Sequence, residues 1–378
     1  MVVRFAKTLL LVSLFGGVVS LTNAQLPDPG SFTPDELLAR ASSAYQAGNF
    51  AAAEGYFLSF ERDFAGEEQL AAVITRNKPL IALCLIANGK IEEAIPYLEA
   101  SVEQPDLPVE ILEELSFWLA IQRMQKGAYQ DAQHQFGQFF KDARFDRSRR
   151  FEALILFGTC YVVEGYPNTA AEFFEAQIPN LRKATGASDY AGRAVVLQMM
   201  ALLQSEDSEG ALQLLREEYP NMGEITQLVS FQTMALQLGS QFMDQERYHD
   251  AVACLQRIWP RDRLLAHQEK KLEYLRDRKA KLTTDPQRQS AVFQLDGVIK
   301  RVEREIENFQ QIADFDAALR FRLALAFQGL ERYREAALIL EDMISRMDPT
   351  PIVETAALSL IQCWSQIERW PKAVEAAE

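Results

Sequence analysis

An alanine recurs along this chain at a nearly constant interval, eight times between residues 53 and 373. The alanines are Ala53, Ala94, Ala132, Ala170, Ala211, Ala251, Ala336 and Ala373. Their spacings are 41, 38, 38, 41, 40, 85 and 37 residues. A fixed period of this size is typical of an array of similar units, each of which buries its apolar face against its neighbours. The period therefore constrains the fold more than any other feature of the sequence.

Each alanine lies in a similar local pattern, which residues 126–140, KGAYQDAQHQFGQFF, illustrate. Twelve residues before the alanines lie Ala41, Ala82, Ala120, Gly158, Met199, Gly239, Ala324 and Ile361. Four residues after them lie Phe57, Leu98, Phe136, Phe174, Leu215, Leu255, Leu340 and Ala377. Small residues at facing positions allow two antiparallel helices to approach closely, and the i, i+4 spacing places the large residue on the same face. The turn before the second helix carries Gly48, Gly89, Gly127 and Gly165 in the first four units, typical of a left-handed helix cap.

This pattern resembles the tetratricopeptide repeat, in which a small residue, a turn glycine, an aromatic residue, an alanine and a large apolar residue follow in this order. The resemblance extends from about residue 34 to residue 378 and is weakest in the fifth unit, where Met199 replaces the small residue. The period of 37 to 41 residues is longer than the 34 of that family. The resemblance implies an all-α fold, a right-handed superhelical solenoid of antiparallel helix pairs. Residues 34–260 would form repeats 1–6, and residues 312–378 would form repeats 7 and 8, the last incomplete.

The 85-residue interval contains a charged insertion, residues 261–311. Its second half has a seam with steps of three and four residues: Val292, Leu295, Ile299, Val302, Ile306, Phe309 and Ala313. Its first half continues the steps with two polar breaks: Leu265, Gln268, Leu272, Leu275, Lys279 and Leu282. With a turn at TTDP, residues 283–286, the pattern predicts an antiparallel, coiled-coil-like helical hairpin. Residues 261–310 carry 12 Lys and Arg against 9 Asp and Glu. The hairpin is either a solvated pair of helices or an arm that contacts a partner.

The first 24 residues have the layout of a secretory signal peptide. Arg4 and Lys7 precede an apolar run, and small residues at Thr22 and Ala24 predict cleavage before Gln25. The alternative is an uncleaved anchor, for which the apolar run is short. We expect a lead-in at 25–33, no transmembrane segment in the mature chain, and export across the inner membrane to a bacterial periplasm.

Composition argues against several classes of function. A net charge of −14 disfavours nucleic acid as a partner. The four cysteines are 76 or more residues apart, which favours free, buried thiols over disulfides. The three histidines, His134, His249 and His267, fall in separate units, and no catalytic, phosphate-binding or metal-binding motif is present. We therefore predict a non-enzymatic protein without cofactor or metal, and an exposed, incidental His134.

The resemblance also implies a concave groove lined by the first helix of each pair, which would bind a protein or peptide partner. Candidate groove residues are Leu83, Ile86, Phe117, Ile121, Met124, Ile155, Val162, Val196, Met200, Leu203, Leu236 and Met243. The alternative is that these side chains are buried within the array itself. Because no capping helix follows the last repeat, two further hypotheses remain: an assembly subunit that self-associates or docks through this end, or an accessory domain of a larger enzyme.

Overall fold

The computed structural model describes residues 32–376 except residues 105, 226, 284–288 and 313, and it leaves out the side chains of 283 and 289–294. The expected signal peptide, most of the lead-in, most of the TTDP turn, and Ala313 and Ala377 lie outside the described residues. Within these ranges every regular element is a helix. The predicted all-α fold is therefore confirmed.

The helices follow one another in pairs. The first six pairs are α1 (Pro34–Gln46) with α2 (Phe50–Phe64), α3 (Ala71–Ala87) with α4 (Ile91–Val102), α5 (Val109–Gln125) with α6 (Tyr129–Lys141), α7 (Arg147–Glu164) with α8 (Pro167–Lys183), α9 (Ser188–Gln204) with α10 (Ser208–Glu218), and α11 (Leu228–Asp244) with α12 (Tyr248–Leu255). The hairpin is α13 (Arg261–Thr283) and α14 (Gln289–Gln310), and the last pairs are α15 (Phe315–Gly329) with α16 (Tyr333–Arg346) and α17 (Pro351–Gln366) with α18 (Trp370–Glu375). Short 3-10 segments lie at Glu68–Leu70 and Tyr219–Glu224.

The chain forms two compact units, of which the first ends at Glu164 and the second begins at Gly165. In the first unit, α1 to α7 pack in sequence, each helix against the next. In the second unit, α9 packs against α8, and α15 packs against α12, so the hairpin is an insertion between two consecutive pairs of the array.

The alanine register accounts for the close packing within pairs. All eight recurring alanines are buried, and so are seven of the eight residues that precede them by twelve positions. The approach between α11 and α12 is close, since a Cβ added to Gly239 would lie 2.5 Å from Cδ2 of Leu255. Leu255 is the large residue four positions after Ala251, so the small and large positions of the pattern meet directly.

The turns between paired helices share a residue with positive φ, which is a glycine in some repeats and a glutamate in others. Gly48, Gly89, Gly127 and Gly165 have positive φ, as the sequence predicts. The equivalent positions of the later repeats carry Glu206, Glu246, Glu331 and Glu368, and their φ lies between 59° and 61°. In repeat 6, for example, Arg247 N–H donates to the carbonyl of Phe242 at 2.8 Å and Glu246 N–H to that of Met243 at 3.0 Å, which is a Schellman cap. Four glutamates therefore hold a backbone conformation that L-residues adopt only with strain.

The hairpin is an antiparallel pair whose seam follows the predicted register. Ile299, Val302, Ile306 and Leu275 are buried in it, with Leu295 half-buried beside them. The two polar breaks of the first half have partners on α14: Gln268 donates to Glu305 at 2.6 Å, and Lys279 is paired with Asp296. The breaks are thus side-chain pairs across the seam rather than gaps in it.

One described stretch, Glu68–Ala87, is long and apolar enough to cross a membrane on length and composition alone. From the sequence we expect no segment of this kind after the signal peptide. It includes α3, which carries Arg76 and Lys78 and packs against α2, α4 and α5. Ile81 and Leu85 of this helix are buried in the core of the first unit, and a core helix has the same composition as a short membrane span.

Candidate functional site

The twelve candidate groove residues divide into two groups by burial. Five are buried within the protein: Ile121, Met124, Ile155, Val162 and Val196. Seven are half-buried: Leu83, Ile86, Phe117, Met200, Leu203, Leu236 and Met243. Of the twelve candidates, these seven therefore keep part of the side chain accessible to a partner.

In the first unit, the half-buried candidates lie on α3 and α5. Leu83 and Ile86 pack against the core formed by Phe57, Ile81 and Leu85. Phe117 packs edge-on against Phe136, with ring centroids 6.2 Å apart. Their exposed parts are apolar, while their buried parts hold the pairs together.

A polar cluster borders Phe117 on the same unit. The guanidinium carbon of Arg149 lies 5.4 Å from the Phe117 ring centroid, and its Nη2 lies 2.5 Å from Glu114. Glu114 also accepts a hydrogen bond from Nε1 of Trp118 at 2.8 Å. Burial raises the pKa of neighbouring Glu113, against the lowering effect of its hydrogen bond from Asp146 N–H and of Arg149. This edge of α5 therefore combines aromatic side chains with an arginine, residue types that are enriched at protein interfaces.

In the second unit, the half-buried candidates lie on α9 and α11. Met200 and Leu203 belong to the last two turns of α9, and Leu236 and Met243 to α11. Two of the four are methionines, whose flexible side chains adapt to varied apolar partners. These four side chains form the corresponding apolar positions of the second unit.

A buried carboxylate joins the hairpin to the array in the second unit, and the sequence pattern gave no sign of it. Glu305 of α14 accepts hydrogen bonds from the backbone N–H of Ser230 at 2.8 Å and from the Ser230 hydroxyl at 2.9 Å. Ser230 lies in the first turn of α11, whose N-cap residue Gln227 makes no capping hydrogen bond through its side chain. Glu305 thus caps α11 from 75 residues away, where a helix N-terminus favours a negative charge.

Glu305 belongs to a cluster of polar and charged groups at the end of the hairpin that contacts the array. Burial raises the pKa of Glu305 to about 7, although its hydrogen bonds with Ser230 and the charge of Lys271 act in the opposite direction. Burial also lowers the pKa of Lys271, which Asp189 and Glu305 counteract. Arg301 of α14 donates a hydrogen bond to the carboxylate of Asp189 of α9 at 3.2 Å. The hairpin is therefore fixed to α9 and α11 by charged side chains.

The residues with the most reactive side chains are dispersed. Cys84, Cys160, Cys254 and Cys363 are free and buried, as predicted, and burial raises the pKa of the first three to about 12. His134 is exposed on α6, as expected, with Nε2 2.9 Å from the Gln138 amide. His249 lies in the first turn of α12. Across the described ranges, no group of three or more His, Cys, Asp or Glu side chains is close enough to hold a metal ion.

Comparisons with known proteins give similarity at the level of solved structures. No protein-family model and no curated protein matches the sequence. A tetratricopeptide repeat protein from Parabacteroides merdae ATCC 43184 aligns over 87% of this chain and 98% of its own, with 12% identity and a TM-score of 0.36. The TPR2AB domain of yeast Sti1, solved in complex with pHSP90, aligns over 71% of this chain and 98% of its own, with 12% identity and a TM-score of 0.23. Yeast Tom70 aligns over 91% of this chain and 90% of its own, with 13% identity and a TM-score of 0.22.

Because these TM-scores are low, the fold is assigned from features of this chain itself. The paired helices, the buried alanines and the repeated left-handed turns all occur in the register of the sequence pattern. The chain is therefore an all-α protein built of tetratricopeptide-like repeats, with a helical hairpin inserted after the sixth.

Proposed function

We propose that this protein is a non-enzymatic scaffold of the cell envelope that binds a protein or peptide partner. The observation that supports it is the set of half-buried apolar side chains on the first helices: Leu83, Ile86 and Phe117 in the first unit, and Met200, Leu203, Leu236 and Met243 in the second. These two groups are called the first-helix surfaces below. Apolar side chains that recur at equivalent register positions and stay partly exposed are typical of a binding surface.

The test separates binding from folding by using positions near helix ends. Ile86 lies in the last turn of α3 and Met243 in the last turn of α11, so a charged side chain at either position reaches solvent with little rearrangement. The double variant Ile86→Glu, Met243→Glu is expected to keep the melting temperature of the parent within a few degrees and to lose capture of its partner from envelope extracts. A matched control is His134→Glu, Leu338→Glu, at two exposed positions of second helices.

Two outcomes contradict the proposal. One is undiminished partner capture by the first-helix double variant. The other is a large drop in the melting temperature of that variant. This result would assign these side chains to the core, which is the alternative to a groove.

Export to the periplasm is part of the same proposal, supported by the signal-like residues 1–24. Expression of the full chain in a bacterium, followed by osmotic release and N-terminal sequencing, is expected to give a periplasmic protein that begins at Gln25. A chain that stays in the cytosol with residues 1–24 intact contradicts this part alone.

A second candidate function is assembly through the last helix pair. Trp370 and Val374 of α18 are 60% and 58% exposed, whereas Ala337, the equivalent of Val374 one repeat earlier, is fully buried. Leu358 of α17 is also 70% exposed. A surface that covers these side chains, in a second copy or a further domain, would complete the packing. Light scattering of the mature chain tests self-association, and a monomer at high concentration contradicts that form of the hypothesis.

A further inference from the structure

One face of the first hairpin helix, α13, carries four cations, a histidine and a tyrosine. The residues are Arg263, His267, Lys270, Tyr274, Arg278 and Lys281. They follow one another in steps of 4, 3, 4, 4 and 3 residues, which at 3.6 residues per turn places them in a single stripe about 27 Å long. The stripe contains no acidic residue. We call it the α13 basic face.

This face is distinct from the side of α13 that packs in the hairpin. Leu264, Gln268 and Leu275 are buried, and they lie roughly 80° to 120° around the helix axis from the middle of the stripe. The ion pairs that cross to α14 start from Arg276, which lies 2.6 Å from Glu303, and from Lys279. The residues of the basic face therefore do not form these ion pairs, which hold the two helices together.

The exposure of the face increases from the array outwards. At the array end, Arg263 stacks over the Trp259 ring at 3.8 Å, and the His267 ring nitrogen lies 3.2 Å from the carbonyl oxygen of Gly223. Further along, Lys270, Arg278 and Lys281 are exposed and Tyr274 is 62% exposed. The helix is thus anchored at one end and presents the rest of the face to solvent.

Acidic neighbours neutralise only a small part of this face. Asp277 lies 2.6 Å from Lys281. By helical spacing, Glu269 lies well away from the stripe, and Glu273 lies on its flank, three residues after Lys270. Residues 261–310 carry 12 cations against 9 acids in a chain whose net charge is −14, so this face is positive on a protein that is otherwise strongly negative.

We propose that the α13 basic face binds an acidic segment of a partner protein, with carboxylates along the stripe and an apolar or aromatic contact at Tyr274. A narrow segment touches the stripe alone, whereas a broad anionic surface such as a membrane also meets the negative remainder of the chain. Charges farther away than a Debye length of about 8 Å are screened, which favours the narrow ligand further. The inference deepens the proposed function, on which it rests, by stating the chemistry of a partner at the hairpin; it does not involve the first-helix surfaces.

The experiment uses the mature full chain and a fluorescein-labelled glutamate-rich peptide, with the glutamine version of the peptide as the neutral control. Fluorescence anisotropy at low salt is expected to show binding of the acidic peptide only. Lys270→Glu with Arg278→Glu is expected to weaken it about tenfold, because two attractive pairs become repulsive. Tyr274→Ala is expected to weaken it severalfold. The control Lys183→Glu with Arg334→Glu makes the same change in net charge at exposed sites on other helices and is expected to bind like the parent.

Equal affinity of the two charge-reversed variants overturns the inference, because binding would then follow net charge alone. So does absence of peptide binding accompanied by sedimentation with phosphatidylglycerol vesicles that Lys270→Glu, Arg278→Glu abolishes, which assigns the face to lipid. Peptide binding that requires the basic face, together with partner capture that survives Ile86→Glu, Met243→Glu, contradicts only the first-helix part of the proposed function. Peptide binding that does not require the basic face, together with partner capture that is lost in Ile86→Glu, Met243→Glu, contradicts only this inference.

Discussion

Glu305 offers the sharpest perturbation of this structure, because one side chain joins three elements. Its carboxylate accepts hydrogen bonds from Ser230 in the first turn of α11 and from Gln268 of α13, and it is itself on α14. Glu305→Ala leaves the Ser230 N–H and the Gln268 amide without this acceptor in a buried site. We expect a loss of about 3 kcal/mol in the free energy of unfolding of the second unit, since a buried donor left without an acceptor costs about 1–3 kcal/mol and the two costs are not additive.

The pH dependence provides a second, independent magnitude. Burial raises the pKa of Glu305 from 4.5 to about 7, so the native state binds the proton more tightly than the unfolded state. Stability therefore falls as pH rises from 4.5 to 7, by about 3 kcal/mol at 1.36 kcal/mol per pH unit. Glu305→Gln cannot ionise and lacks this fall. The stability of the parent relative to Glu305→Gln is thus highest at acidic pH and declines towards neutral pH.

Urea unfolding of the parent and Glu305→Gln at several pH values measures this difference, and hydrogen exchange of the first turn of α11 reports on the local contact. The matched control is Glu307→Gln, which makes the same substitution at an exposed glutamate of the same helix. A parent that gains stability relative to Glu305→Gln as pH rises would refute the reasoning. In that case the hydrogen bonds and the N-terminus of α11 outweigh burial.

Three further predictions concern packing, turns and thiols. Gly239→Ala is expected to cost about 1–3 kcal/mol in thermal unfolding, because its Cβ would lie 2.5 Å from buried Leu255; at Gly297, where the nearest atom would be 3.6 Å away on Arg301, the same change should stabilise α14. Glu246→Gly is expected to raise stability by up to about 1 kcal/mol by relieving a positive φ, and an unchanged or lower unfolding midpoint argues against strain there. The four buried thiols should resist a thiol reagent at pH 8 until the chain is unfolded, and rapid labelling of the native protein contradicts their burial.

The helix pairs were predictable because the information for them is local and repeated. The alanine, the small residue twelve positions earlier and the large residue four positions later lie on the same two helices, so their spacing alone predicts their burial. The same register also contains a second signal, which concerns the turns. Glu206, Glu246, Glu331 and Glu368 occupy the position of the turn glycines, five residues before the recurring alanine, and alignment by register indicates that they share the left-handed turn.

The base of the hairpin was not predictable from spacing. Glu305 and Ser230 are 75 residues apart, and neither belongs to the repeated pattern. Gln268 and Lys279 looked like defects in a heptad seam because their partners lie on the opposite helix. The groove residues are an intermediate case. Register identifies which positions of the first helices are candidates, but the packing of neighbouring helices decides that Ile121 is buried while Leu83 is not.

Site-specific photo-crosslinking tests directly whether partners bind at the first-helix surfaces. A photoreactive amino acid would be placed at Ile86, at Met243 or at exposed His134 in the full chain, expressed in its native host. We expect discrete protein adducts from Ile86 or Met243 and none from His134. Adducts from His134 alone, or identical patterns from all three positions, would contradict it.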